Sequence, residues 1–281
     1  MRVVTYNIRG WRTWPDGSSN FARLVELLAE IQPDLIGLNE VFHPARETER
    51  AQPYLTALAA ALDMEVAFGP CLRWPATQTL PERSYGNALL SRWPILASAA
   101  HHLADVPGKE QRGLLEARIL APGGGSFTVY VTHLDHTDET VRLEQLRSLR
   151  AWTVRDRSRP HLVMGDFNAL SPWDWAGRDA DLMQLVQAHP PSRYLLEETG
   201  MQVIPQMEKA GYVDAMRALG IRGGETFIPA PVPLRIDYVF LSSGLAPALR
   251  DAHIWMEPAG TEASDHRPVV VDLDDGALRA A

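Results

Sequence analysis

Short apolar runs recur from Val3 to Leu273, and only a few stretches between them carry helical spacing. A doubly wound parallel sheet needs a helical crossover at almost every step, and this chain does not supply enough of them. Two packed, mostly antiparallel sheets with helices on their outer faces fit the order better, an α/β (α+β) architecture. The predicted strands include Val3 to Ile8, Asp34 to Val41, Glu65 to Phe68, Tyr85 to Ser91, Leu162 to Met164, Arg235 to Leu241, Ala248 to Met256 and Val269 to Val271. Arg112 to Leu120 and Phe127 to Thr132 read as a hairpin around Pro122-Gly123-Gly124-Gly125. Helical spacing is clear in Phe21 to Ile31 (with Asn20 as its cap), Pro53 to Leu62, Glu139 to Val154 and Asp179 to Ala188. The segments Arg9 to Ser19, Gly69 to Arg83 and Leu170 to Gly177 read as loops. Pro190 to Pro233 is patternless except for a predicted helix near Val213 to Leu219.

The strands share a second property: many end on a residue that can do chemistry. Asn7, Glu40, His133, Asp166, Asn168, Asp237, Asp265 and His266 stand at or just beyond strand ends. If those ends lie together, the set forms one site of carboxylates, carboxamides and imidazoles without a thiolate. Such oxygen-rich sites select Mg²⁺ or Mn²⁺. A cation of that kind polarises a phosphoryl oxygen, and a carboxylate can orient the attacking water. Each residue alone has a plainer reading. Asp166 and Asn168 suit an Asx turn after Gly165, and a single His at a hairpin end suits packing.

Charge and composition narrow the partners. The net charge is −8, which disfavours general binding to duplex nucleic acid because that depends on a basic surface. A single cysteine, Cys71, allows no internal disulfide and no Cys-based zinc site. No apolar run reaches the ~20 residues of a membrane helix. Met1 to Asn7 reads as a strand rather than a leader, so a cytoplasmic monomer is expected.

Taken in order, Thr5-Tyr6-Asn7, Leu38-Asn39-Glu40-Val41, Gly86-Asn87, Thr132-His133-Leu134, Gly165-Asp166-Phe167-Asn168, Arg235-Ile236-Asp237-Tyr238 and Ser264-Asp265-His266 resemble a known motif series. It is that of the endonuclease/exonuclease/phosphatase superfamily, which includes DNase I, abasic-site endonucleases, neutral sphingomyelinases and inositol polyphosphate phosphatases. The resemblance implies a DNase I-like four-layer α/β sandwich, with one domain over residues 1–275 and a tail over 276–281. It also implies hydrolysis of a phosphate ester, with a phosphodiester favoured, a DNA-processing nuclease or DNA-end phosphodiesterase as the alternative, and a non-catalytic binding module on the same fold disfavoured because no expected catalytic residue type is lost. A small molecule, a phospholipid and a nucleic acid all remain open as substrate.

By the same resemblance, Glu40 is the principal metal ligand, with Asn7 beside it and Asp265 completing the set. Asp166 orients the water, Asn168 steadies the phosphate, and His133 and His266 contact it. Asp237 partners His266, and Asn87 and Arg112 reach the phosphate. Abasic endonucleases usually lack Thr-His-Leu at that place, which counts against that branch. Asn39 stands where many members have Gln, a difference expected to bear on subfamily rather than chemistry. Trp11, Trp14, Trp173 and Trp175 suit either stacking on a ligand or anchoring of their loops.

Overall fold

A computed structural model describes residues 1–274 apart from 49, 79, 80, 122, 259 and 260. The expected tail and Pro122 of the hairpin turn therefore lie outside the described residues. Among the described residues, twelve strands form two six-stranded sheets. The first sheet contains β1 (Arg2–Asn7), β2 (Leu35–His43), β3 (Glu65–Trp74), β4 (Arg83–Ser91), β11 (Leu249–Ile254) and β12 (Val269–Leu273), in the order β11-β12-β1-β2-β4-β3. The second contains β5 (Ile95–His102), β6 (Gly113–Leu120), β7 (Ser126–His133), β8 (His161–Asp166), β9 (Val213–Asp214) and β10 (Asp237–Leu241), in the order β5-β6-β7-β8-β10-β9. Only β1 with β2 and β7 with β8 run parallel. Each parallel step is bridged by a helix, α1 (Phe21–Ile31) in the first sheet and α3 (Glu139–Thr153) in the second.

The layers follow from strand alternation. Val3, Leu35, Leu89, Leu115, Val129, Val131, Leu162, Met164 and Val239 point into the space between the sheets and form the central core. Their sequence neighbours Val4, Tyr6, Ile36, Leu38 and Leu90 point outward and are covered by α1 and α2 (Tyr54–Ala61). On the other side Tyr130, Val163, Tyr238 and Phe240 are covered by Leu146 and Leu149 of α3 and by Val203, Ile204 and Met207 of α6 (Val203–Lys209). Both faces of the central strands are thus apolar, which is why their sequences read as continuous apolar runs.

Several local expectations are revised. The strand expected over Glu65 to Phe68 continues to Trp74, because a shift between Pro70 and Leu72 lets it keep pairing with β4 past Pro70. Asn20 does not cap α1 through its side chain. Its Nδ2 instead donates to the Ile8 and Ala263 carbonyls, tying β1 to the segment before β12. Val213 to Leu219 is divided into the two-residue β9 and a short helix α7 (Ala215–Ala218), with Asp214 capping the helix. Trp173-Asp174-Trp175 lies in a helical turn, α4 (Pro172–Trp175), rather than open loop.

Gly165 marks where the sheets converge. Its φ of +141° is open to glycine only, and an added Cβ would lie 1.8 Å from the Thr132 carbonyl oxygen of the neighbouring strand. Gly165→Ala should therefore cost ~3 kcal/mol or more, combining backbone strain with displacement of β7. Urea unfolding measures this. A variant as stable as the parent would show that the strand ends can separate freely.

Candidate active site

Asp166 ends β8 and Asp237 opens β10, and the antiparallel register pairs these two residues directly. In the parallel register of β7 with β8, His133 falls opposite Asp166. Asn7 at the end of β1 is likewise the partner of Asn39 midway along β2. Strand pairing alone thus gathers residues from distant parts of the chain at one end of each sheet.

The sheets are joined there by amides. Asn39, fully buried, donates through Nδ2 to Asn87 Oδ1 at 2.9 Å and to the Thr132 carbonyl at 2.8 Å. Its Oδ1 accepts from the Asp166 N–H at 2.9 Å. Asn87 passes the link on, donating through Nδ2 to the carbonyls of Gly113 (2.9 Å) and Val131 (3.2 Å). Those amide hydrogens are engaged across the sheet interface, so a phosphate contact would require Asn87 to release one of them. Asn39 was expected to matter only for subfamily, yet its place makes it a link that sets Asp166 against the first sheet.

Glu40 follows in a bulge. The pairing of β2 with β4 shifts register between Leu38 and Val41, and Glu40 takes the left-handed φ of +59°. A bulge re-aims one side chain without ending the strand, and a non-glycine residue at such a φ stores roughly 1–3 kcal/mol of strain. Glu40 is partly exposed, and Asn7 Nδ2 donates to its Oε1 at 3.1 Å. The same nitrogen lies 3.1 Å from Asp166 Oδ2, so Asn7 bridges the two carboxylates.

Asp166 uses its two oxygens differently. Oδ1 accepts from the Asn168 N–H at 2.8 Å, which is the Asx turn, and Asn168 has a φ of +49°. Oδ2 faces the site, 3.5 Å from His133 Nε2 and 3.7 Å from His266 Nε2. The turn and the site are therefore one structure. Asn168 swings back rather than continuing extended, and its Nδ2 donates to the Leu134 carbonyl, 3.1 Å from His133 Nε2 as well.

The two histidines are held in opposite states. His266 Nδ1 donates to Asp237 Oδ2 at 2.9 Å, while its Nε2 faces Asp166. Burial disfavours the charged ring, but Asp237, Asp166 and Asp265 outweigh that and push its pKa well above the ordinary imidazole value. His133 is lowered well below that value by burial first, then by Arg112, His266 and His136. Arg112 Nη1 lies 3.0 Å from His133 Nδ1. Because a guanidinium cannot accept, Nδ1 carries the lone pair and the ring proton sits on Nε2, toward Asp166. Asp166 itself is raised by burial and by Asp237, against the lowering effect of His266, Asn7 and the Asn168 amide.

Other expected residues lie apart from this cluster or support it. Asp265 is paired with Arg9 (Nε to Oδ2, 3.1 Å), and the preceding Ser264 donates through Oγ to the Asn7 carbonyl. Among the described residues, Asp166, Asp237 and His266 have potential ligand atoms within 4.8 Å of one another. With a carboxylate at each ring nitrogen, His266 is held as imidazolium and offers no lone pair there. Among the described residues Asp237 Oδ1 is buried without a hydrogen-bond partner, and Glu40 presents hard oxygens from the other sheet, linked to Asp166 through Asn7. That oxygen set around Asn7 fits a hard cation; no soft ligand is present.

Sequence reasoning did not anticipate Thr226, Phe227, Arg9 or Tyr85. Thr226 Oγ1 accepts from the N–H of Ile236 (2.9 Å) and Asp237 (3.3 Å), and Phe227 bridges to His266 with ring centroids 5.1 Å apart. They sit in the patternless segment and had no local signal. Trp11 is buried, donates to the Phe42 carbonyl and packs on Phe21 and Tyr54, which makes it a loop anchor. Trp175 is likewise buried in a core cluster.

Residues 4–266 match the pattern of the Endonuclease/Exonuclease/phosphatase family. The chain belongs to that family. Relatives include YbhP of Escherichia coli K12, an uncharacterized protein that is 28% identical over 97% of this chain and 95% of its own. An endonuclease/exonuclease/phosphatase from Beutenbergia cavernae superposes with a TM-score of 0.72 at 27% identity, covering 98% of this chain and 71% of that one. An AP endonuclease from Archaeoglobus fulgidus shares the fold, with a TM-score of 0.68, 19% identity and coverage of 98% and 99%. The two mixed sheets flanked by helices are the DNase I-like sandwich of this family. Its members are phosphoesterases and nucleases. No helix among the described residues is long and apolar enough to cross a membrane.

Proposed function

We propose that this protein is a divalent-metal-dependent phosphodiesterase. The observation that carries the reading is the Asp237–His266–Asp166 arrangement, in which one imidazole is held charged between two buried carboxylates. A buried imidazolium offers fixed positive charge and a proton to an anionic ester, and an adjacent carboxylate offers a base for water. In this reading His266 binds a phosphoryl oxygen through Nε2 while Asp237 keeps the ring charged and oriented. Asp166 Oδ2 takes the proton of the attacking water. His133, protonated on Nε2, and the Asn168 amide hold the remaining phosphoryl oxygens. Arg112 fixes the His133 tautomer from behind.

Glu40, with Asn7, would hold a Mg²⁺ or Mn²⁺ ion, which would polarise the phosphoryl group and stabilise negative charge on it. Asp265 serves in this reading to keep Arg9 at the mouth of the site. The resolving experiment is a hydrolysis panel with either cation against a phosphomonoester, a bis-ester, a phospholipid, and abasic, nicked and single-stranded DNA. Turnover of the bis-ester or phospholipid above the others is expected. Turnover of the monoester alone would make the protein a phosphatase, and cleavage of DNA alone would make it a nuclease.

The net charge of −8 weighs against the nuclease. Binding to undamaged duplex at physiological salt should be no tighter than the micromolar range of non-specific contacts. Fluorescence anisotropy across a salt series checks this; submicromolar affinity with a steep negative salt slope would reverse the choice of substrate.

A further inference from the structure

A separate pocket lies at the opposite end of β8. His161 opens that strand and Asp166 closes it, so the two ends are roughly 17 Å apart at the usual rise per residue. The pocket, of about 440 Å³, is lined by Arg147, Arg150 and Arg157, with His161, Tyr212 and Ser242 at its buried wall. No lining residue carries a carboxylate, in a chain whose acids outnumber its bases. Arg147 pairs with Glu144 on its own helix. Arg150 and Arg157 form no ion pair among the described residues. By contrast, Arg155 and Arg159 in the same stretch are paired with Glu116 and Asp156.

The wall is built rather than incidental. The His161 N–H donates to Ser242 Oγ at 3.0 Å and the Ser242 N–H to the His161 carbonyl at 2.9 Å. His161 Nε2 lies 2.9 Å from the Tyr212 hydroxyl, and its Nδ1 is 2.8 Å from the Arg159 carbonyl. A neutral ring that donates from Nδ1 to the Arg159 carbonyl accepts at Nε2, with Tyr212 as the donor there. Ser242 Oγ accepts from the backbone and keeps its own proton to donate. Arg150 and Arg157, neither offset by a carboxylate, repel each other at this concavity, and an anion between them removes that cost.

We propose that this pocket is a second ligand site that binds the phosphoryl dianion of a small molecule. The Arg150 and Arg157 guanidiniums, neither tied to a carboxylate, suit the terminal oxygens of such a group, which each can meet with paired N–H bonds. The pocket's volume is that of a small-ligand site, and the neighbouring Arg155 and Arg159 are tied to carboxylates rather than continuing the basic lining. The inference rests on the pocket alone and is independent of the chemistry assigned to the active site.

The test is residue-resolved NMR titration of the metal-free protein with inorganic phosphate and, separately, with phenylphosphonate. Amides of Gly211, Tyr212 and Ser243 should shift in a saturable way. In the Arg150→Ala/Arg157→Ala double variant their apparent affinity should fall roughly tenfold or more, the loss of charge-assisted bonds. Thermal melting of the double variant should match the parent, since neither side chain is tied to a carboxylate. Tighter binding of phenylphosphonate than of phosphate identifies an organic phosphate as the ligand, and preference for phosphate identifies the free ion. Absence of saturable shifts at these amides, or equal affinity in a folded double variant, would overturn the proposal. Shifts confined to Asn168 and its neighbours would do the same, by placing the anion in the active site only.

Discussion

Replacing Asp237 by Asn should lower turnover by roughly two orders of magnitude, about 2.7 kcal/mol of transition-state stabilisation. His266→Ala should cost as much or more. The reason is geometric: Asp237 Oδ2 is 2.9 Å from His266 Nδ1, and the carboxylate is fully buried, so nothing else compensates the ring on that side. Groups that act as one unit lose their effects together, so the double variant should be little worse than the poorer single variant. Losses that multiply would show two independent contributions.

The same pair makes a titration prediction. The folded-state pKa of His266 is raised, so the ring stays charged above the range where a free histidine titrates. The stabilisation linked to it is fully present below the unfolded pKa and is lost as pH rises through the folded value. Asp237→Asn removes the group that raises it, so the ring should then titrate at lower pH. Two-dimensional NMR of the imidazole reports this directly, and an unchanged titration would refute the pairing. A purely structural role for Asp237 predicts a different outcome, namely lower thermal stability with normal activity per folded molecule.

Glu40→Ala should abolish the dependence of activity on Mg²⁺ or Mn²⁺ by removing most of the activity itself, by roughly 100-fold or more. Charge stabilisation by a cation is worth several kcal/mol, and Asn7 alone is a weak ligand. The fold should survive. Glu40 is partly exposed and sits at a left-handed φ, so Ala removes no buried contact beyond the Asn7 bond, though it leaves the strained backbone in place. Calorimetry should show weaker cation binding with an unchanged far-UV spectrum. Parent-like metal affinity in Glu40→Ala would move the metal elsewhere, and full activity of the parent in excess chelator would remove it from the mechanism.

The contrast between Asp166 and Thr226 explains how far the sequence reaches. Asp166 follows an apolar run and a glycine, and both the turn and the carboxylate are legible because each depends on neighbours within the same few residues. The same holds for α1, α3 and the strands, whose apolar spacing is a local property of a chain burying one or both faces. The family resemblance works for the same reason, since each motif is a short run of neighbouring residues. The amino-acid sequence by itself therefore determined the sandwich and the list of candidate residues.

Only the tertiary structure decided what those residues are bonded to. Asn39 looks like a minor variant in sequence, but the sheet interface makes it, with Asn7, a bond between Asp166 and the first sheet. Asp265 looks like a ligand, yet the left-handed turn of Arg9 through Trp11 brings Arg9 onto it. His133 and His266 are the same residue type at similar strand ends, and they hold opposite charge states because one faces Arg112 and the other Asp237. Thr226 had no signal at all, since its role exists only where the long segment before β10 folds back on that strand. Hydrogen-bond partners and local charge are fixed by contacts between residues far apart in the chain, and no local pattern encodes them.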